Sequence, residues 1–186
     1  PETTFVATGG GAEVAREHNV YGEALGAGAA PLNLRGEVYR VYDAAGVREA
    51  VRHDFDGHLV EATRTLRATP PGSASPATWS AYAAGADWSA LPAAGSLSAL
   101  TAAAAPSLET ETFTTRWTYD ALGRPVTQTT PDASVTRYAY NPAGLLETVD
   151  VERRGTTPAT PMVASIDYAA QGRRSRVALG NGTTTT

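Results

Sequence analysis

The stretch TTRWTYDALGRPVTQTTPDASVTRYAYNPAGLLETVDV, residues 114–151, decides the fold. Ahead of its first turn, Thr115, Trp117 and Tyr119 alternate with Thr114, Arg116 and Thr118, the period-two pattern of a strand with two unlike faces. Asp120-Ala121-Leu122-Gly123 follows. An Asp or Asn at the first place and a Gly at the fourth is the signature of a type I turn. A left-handed glycine after such a turn closes a hairpin loop with a G1 bulge, because only glycine takes that φ without strain. Val126 to Thr130 is rich in β-branched residues, Pro131-Asp132-Ala133-Ser134 is a second turn signal, and Val135 to Tyr140 is strand again. Asn141-Pro142-Ala143-Gly144 repeats the first turn, with proline's fixed φ at the second place, before Leu145 to Val151 resumes alternation. The pattern predicts a β-meander.

Outward from this stretch the same unit recurs: an aromatic or imidazole residue ahead of a turn that ends in glycine. It stands at Tyr42-Asp43-Ala44-Ala45-Gly46, His53-Asp54-Phe55-Asp56-Gly57, Tyr119 to Gly123, Tyr140 to Gly144 and Tyr168-Ala169-Ala170-Gln171-Gly172. The spacing is irregular, so the motif repeats without a fixed period. Each copy is expected to be a hairpin tip. The structural turn residues are then Tyr42, Asp43, Gly46, Asp54, Gly57, Tyr119, Asp120, Gly123, Tyr140, Asn141, Gly144, Tyr168 and Gly172. A β-branched residue in place of Gly123 is expected to impair folding, because a Cβ is costly at positive φ.

Composition bounds the rest. A chain of 186 residues is long enough for one core. Hydrophobic content of 42% with 18% charged residues excludes wholesale disorder. The formal net charge is −4 and the arginines are dispersed, so the basic field that gathers nucleic acid is missing and none is expected as a partner. No cysteine is present, which removes disulfides and thiolate metal sites. Pro1-Glu2-Thr3-Thr4-Phe5 lacks the basic start and apolar run of a signal peptide, and the stretch from Leu97 to Pro106 is too short and too rich in small residues to cross a bilayer. Membrane insertion is not expected, and both ends read as cut.

The expected organisation is a partly irregular lead-in over 1–32, hairpins over 33–66, an Ala/Ser/Pro/Gly-rich insertion over 67–108, hairpins over 109–182 and a frayed end at 183–186. The insertion is expected to hold a short helix near Leu97 to Ala105 and two anchors, Trp79 and Trp88, that pin it to the sheet.

Sharper chemistry finds little footing. No G-x-S-x-G, P-loop or H-E-x-x-H pattern occurs, and Gly26-Ala27-Gly28-Ala29-Ala30-Pro31 fails the dinucleotide pattern at its third glycine, leaving a Gly-rich loop. His53, Asp54, Asp56 and His58 share part of a calcium loop's pattern without its remaining carboxylates, and they coincide with a repeat turn. His18 is too isolated in sequence to join them. Glu109 and Glu111 lie on one side of an extended segment, which is commonly a solvated strand entry. No catalytic site, cofactor or metal is expected. A second class of function is a carbohydrate- or protein-binding module presenting Trp117, Tyr119, Tyr138 and Tyr140 beside Arg124, Arg137, Arg153 and Arg154. Exposure of those aromatics discriminates: buried rings make a wall, exposed coplanar rings a binder.

Tyr119-Asp120-Ala121-Leu122-Gly123-Arg124-Pro125-Val126 resembles the YD repeat of the Rhs family, named for the Tyr-Asp pair before a turn glycine. Together with NLRGEVYRVYDAAGV at 33–47, DFDGHLVEATR at 54–64 and IDYAAQGRRSRVALGNG at 166–182, it is more specifically similar to the YD-rich region of the B component of Tc-type insecticidal toxin complexes. That resemblance implies a mainly β structure of consecutive antiparallel hairpins, one slice of a hollow shell enclosing a toxic C-terminal polypeptide. It implies as partners the rest of the shell, the enclosed segment and other toxin-complex subunits, with carbohydrate as a further candidate. It also implies manufacture in a bacterial cytoplasm and release as part of a secreted complex. The chain departs from the pattern at His53, which replaces Tyr, at Asp56, and at Ala169, which replaces Asp; Asn141-Pro142-Ala143-Gly144 only superficially resembles the D-P-x-G of a self-cleaving site.

Overall fold

The computed structural model describes residues 3–6, 13–72, 74–91 and 95–186. Residues 1–2 and 7–12 of the lead-in, and 73 and 92–94 of the insertion, lie outside them. The protein is mainly β, with consecutive antiparallel hairpins, and divides into two units, Pro1–Thr114 and Thr115–Thr186.

In the first unit the strands β1 (Thr3–Val6), β2 (Val14–Tyr21), β3 (Val38–Asp43), β4 (Gly46–His53) and β5 (Leu59–Arg67) pair antiparallel in chain order. The start of β6 (Leu108–Tyr119) lies next to β5, where the Thr65 and Thr112 hydroxyls meet at 3.2 Å. Between β2 and β3 the chain winds through a 3-10 segment, Gly22–Leu32, rather than a loop. Gly26 breaks it at φ 57, and Asn33 ends it in the left-handed region at φ 53. Gly22 is required there by space, since a Cβ would stand 1.8 Å from the Leu34 carbonyl oxygen.

Two helices follow in the insertion, α1 (Pro76–Ala83) and α2 (Leu97–Ala104). Ser75 and Ser96 cap them, each accepting a hydrogen bond from the backbone N–H at the third helical position, Thr78 and Ala99. α2 is where the sequence places a helix. α1 is additional to that expectation, although Ser75-Pro76 is an N-cap followed by the residue favoured at the first helical position.

The core of this unit is built by three parties. The strands give Ala15, Val20, Tyr39, Tyr42, Val47 and Ala50, the 3-10 segment and its exit give Ala29 and Leu34, and the insertion gives Ala86, Trp88, Leu91, Leu100 and Ala104. Trp88 is 2% exposed, packs on Tyr42 with ring centroids 5.5 Å apart, and donates its indole N–H to the Asp43 carbonyl at 3.0 Å. It is the anchor expected of it. Trp79 is not: it is 37% exposed and meets the edge of Tyr82, on a helix that buries none of its residues. α2 is tied to the sheet by a polar link, with Arg40 donating to the Thr101 hydroxyl at 2.8 Å and to Glu49 at 2.6 Å. Burial works against the Arg40 charge, but the Tyr42 hydroxyl and Glu49 outweigh it and hold the guanidinium firmly protonated.

The second unit continues β6 and adds β7 (Pro125–Thr129), β8 (Val135–Tyr140), β9 (Leu146–Glu152), β10 (Thr160–Tyr168), β11 (Arg174–Leu179) and β12 (Thr184–Thr185). Residues 183–186, expected to fray, instead supply β12, where Thr185 pairs with Val177 and Thr184 with Ala178. Register sorts this sheet into two faces. Trp117, Gln128, Thr136 and Val151 lie opposite one another across four strands, and Thr118, Thr127, Arg137 and Asp150 do so on the reverse. Among the described residues of this unit Ile166 is the buried apolar side chain, at 7% exposure. The other aromatic and aliphatic side chains of its strands are half-buried or exposed, as expected of a sheet without a covering layer.

Candidate functional site

The residues singled out by sequence stand at the hairpin ends. At the Asp54, Asp120, Asn141 and Ala169 turns one backbone geometry recurs. The first residue's N–H donates to the carbonyl of the residue just past the glycine, at 2.9, 3.0, 2.9 and 2.9 Å, and the glycine N–H donates back to the first residue's carbonyl. Gly57, Gly123, Gly144 and Gly172 hold φ of 86, 71, 80 and 73°, the left-handed region. The Asp43 turn differs. There Asp43 pairs directly with Gly46, so Ala44 and Ala45 alone form the loop and Gly46 already belongs to β4, at φ 125°. Gly46 is required by proximity as well, since a Cβ would stand 2.3 Å from the Thr65 carbonyl oxygen of β5.

Side chains reinforce the backbone in graded fashion. Asp120 accepts the N–H of Leu122 and of Arg124 at 2.9 and 3.0 Å through one oxygen, and the Arg124 side chain at 2.7 Å through the other. The Arg124 hydrogen bond is the main reason its carboxyl titrates below the usual range. Asp54 repeats the arrangement with His58, whose N–H donates at 2.8 Å and whose Nδ1 lies 3.2 Å from the second oxygen. Asn141 keeps the backbone part alone, accepting from Ala143 and Leu145 at 3.0 Å each. Ala169 has neither. Asp43 binds Arg64 of β5 through both carboxylate oxygens and also accepts the Ala45 N–H.

Two motif tyrosines, Tyr140 and Tyr168, connect one turn to the next. The Tyr140 hydroxyl donates to the Pro125 carbonyl at 2.8 Å, and the Tyr168 hydroxyl donates to the Leu146 carbonyl at 2.7 Å. Pro125 and Leu146 occupy equivalent places, just past the turns that end in Gly123 and Gly144. Arg124 lies over the Tyr140 ring at 4.3 Å from its centroid, so one guanidinium serves its own turn and the next strand pair. Tyr42 is spent differently, in the core under Trp88. Trp117, Tyr119, Tyr138 and Tyr140 are all half-buried, neither the sealed rings of a closed core nor a bare coplanar platform.

Further turns escaped the motif. Thr130 to Ala133 repeats the hydrogen-bond pattern with alanine at the left-handed place, φ 65°, and Leu179 to Gly182 repeats it with leucine at the first. The Asn181-Gly182 pair was the available signal for the latter.

Of the chemical candidates, Asp54 and His58 serve the turn, and Phe55 at its tip is 96% exposed. Glu109 and Glu111 sit along β6. His18 is buried on the core, its Nδ1 2.8 Å from the Thr3 hydroxyl. Among the described residues no group of three or more His, Cys, Asp or Glu side chains is placed to hold a metal ion, and no helix is long and apolar enough to cross a membrane.

Serial hairpins, two of them tied to the one before by a tyrosine hydroxyl, define a repeat-built β-sheet. Residues 109–135 and 119–157 match the model of the RHS Repeat family. Residues 109–157 are thus similar to RHS repeats, as the Tyr119-Asp120-Ala121-Leu122-Gly123 unit led us to expect. Its fold is that of chains in Tc toxin structures. A crystal structure of TcdB2-TccC3-Cdc42 matches at 23% identity and TM-score 0.73, covering 98% of this chain and 8% of that one. A crystal structure of TcdB2-TccC3 without the hypervariable C-terminal region matches at 22% identity and TM-score 0.74, with the same coverages. The Photorhabdus luminescens Tc holotoxin pore matches at 21% identity and TM-score 0.67, covering 95% and 7%. This chain therefore spans less than a tenth of their length. No curated protein matches it.

Proposed function

We propose that this chain is a section of a shell wall in a Tc-type toxin complex, and that the shell encloses a toxic C-terminal polypeptide. The carrying observation is the tie from Tyr140 and from Tyr168 to the turn before each, in a sheet where hairpin follows hairpin and every interior strand edge is covered by its neighbour. In this reading the turn residues from Tyr42 to Gly172 carry architecture and no chemistry. The remainder of the shell, the enclosed segment and other toxin-complex subunits are its partners, and the complex is a secreted bacterial, insecticidal one. Supporting this are the RHS repeat match and the fold shared with the TcdB2-TccC3 chains over nearly the whole chain.

The test is protease protection in the full-length parent protein. Introducing Gly180→Val and Gly46→Val into the wall should make the enclosed segment cleavable while the parent resists. Equal sensitivity of the segment in parent and variant would count against enclosure.

A further inference from the structure

The repeat turns of the chain offer an internal comparison. In the Asp120 turn the cation just past the glycine, Arg124, is held by the carboxylate at the head of the same turn, with its Nη2 2.6 Å from Asp120. The Asp54 turn places His58 against Asp54 in the same way. At the Ala169 turn the backbone is unchanged, with Ala169 and Gly172 donating at 2.9 and 2.8 Å. The cation persists as Arg173, but the carboxylate has been replaced by a methyl group. Arg174 follows directly, and residues 169–176 are all exposed. Among the described residues no carboxylate or ring lies against either guanidinium, and the neighbouring acid, Asp167, is engaged with Arg176 at 3.5 Å.

We propose that the hairpin tip bearing Arg173 and Arg174 is a docking point for an acidic polypeptide segment, whose carboxylate completes the clamp that Ala169 leaves open. The sister turns set the chemistry. Where the head residue is acidic, its carboxylate faces the side chain just past the glycine, accepting from the planar fork of Arg124 at one turn and lying 3.2 Å from His58 Nδ1 at the other. A net charge of −4 gives no wide basic field for a polyanion such as nucleic acid, so recognition rests on the local pair. Arg153 and Arg154 are also adjacent and exposed, but they sit in the β9–β10 connection and not at one of the five repeat turns. They are the natural control.

The experiment titrates the full 186-residue chain with a fluorescein-labelled hexaglutamate peptide at low salt, where exposed ion pairs are least screened. Arg173→Ala/Arg174→Ala should weaken binding roughly threefold to tenfold, the scale of one or two exposed charge pairs. Ala169→Asp should weaken it comparably by filling the clamp from within, and should raise the midpoint of thermal unfolding. Arg153→Ala/Arg154→Ala should leave binding within about twofold. Equal loss in that control would show general charge attraction and overturn the proposal. So would unchanged binding in Ala169→Asp, or a single-stranded DNA oligomer that binds more tightly than the peptide.

Discussion

The Tyr168 hydroxyl donates to the Leu146 carbonyl at 2.7 Å, and this bond links the last motif of the chain to the turn of the one before it. Tyr140 and Pro125 repeat the relationship one hairpin earlier. A tyrosine at this place therefore acts at a distance in sequence, on a carbonyl that its own hairpin does not otherwise use. Tyr168→Phe should cost about 1 kcal/mol, the net worth of one such bond, with the ring's packing retained. Tyr140→Phe should cost about as much, and Tyr140→Leu more, because Arg124 then also loses the ring beneath it. Urea denaturation of the single variants measures these losses, and equal midpoints for Tyr140→Phe and Tyr140→Leu would deny the guanidinium contact a role.

Gly180 and Gly182 sit in one turn yet should tolerate substitution very differently. A Cβ on Gly180 would stand 1.7 Å from the Pro161 carbonyl oxygen, backbone that cannot swing aside. Gly182 holds φ 85° with open space around it. Gly182→Ala should cost only about 1–2 kcal/mol of left-handed strain. Gly180→Ala should cost clearly more, because β10 and β11 must separate or lose the Gly180 N–H bond to the Met162 carbonyl. Thermal melts that rank the two the other way would refute the placement of this turn.

The Thr130 turn runs the comparison in reverse. Ala133 occupies φ 65°, where glycine sits in the sister turns. Ala133→Gly should therefore raise stability by about 1 kcal/mol, relief of strain exceeding the extra entropy of an unfolded glycine. A lower unfolding midpoint in that variant would mean that the turn is not left-handed at this residue.

Much of this fold was legible because its signals are local. Alternation over 114–119 and the Asp-x-x-Gly and Asn-Pro-x-Gly turns specify strand, tip and strand without reference to the rest of the chain. What escaped depends on contacts distant in sequence. Trp79 and Trp88 look alike as isolated indoles in a small-residue segment, and only the position of Asp43 and Tyr42 under Trp88 separates the anchor from the exposed ring. The Asp43 turn looked like its sisters, but the close approach of β5 to Gly46 tightened it into a two-alanine loop. Ala133 was invisible as a left-handed residue because alanine rarely holds that conformation. The tyrosine ties were unreadable, since their acceptors are backbone carbonyls that carry no sequence mark.

Trp88 should be the costliest single truncation in the insertion. Its indole is 2% exposed, lies on Tyr42 and satisfies the Asp43 carbonyl. Trp88→Ala should lose about 3–5 kcal/mol, the range for a large aromatic removed from a core. Trp79→Ala, at 37% exposure, should lose about 1 kcal/mol or less. Similar losses at the two sites would mean that Trp79 is an anchor after all.

Acid should dismantle the turns together. Asp132 accepts from the Thr130 hydroxyl, the Ser134 hydroxyl and the Ser134 N–H, which together lower its pKa to about 2. Asp120 is lowered chiefly by Arg124; at Asp43 and Asp54 partial desolvation pushes upward, but Arg64 and His58 prevail and both are lowered as well. A carboxyl whose folded pKa lies below its unfolded value of about 3.9 contributes stability that is complete above that value. As pH falls the unfolded chain takes up protons first, so the contribution shrinks below about pH 4 and is gone once the folded pKa is passed, near 2 for Asp132. Stability measured by urea midpoint should thus be level with respect to these groups at neutral pH and decline steeply between about pH 4 and 2. Asp132→Asn should flatten part of that decline and leave its remainder to the other three carboxylates. A variant whose acid limb coincides with the parent's would show that Asp132 keeps its turn bonds in the unfolded chain, or never makes them.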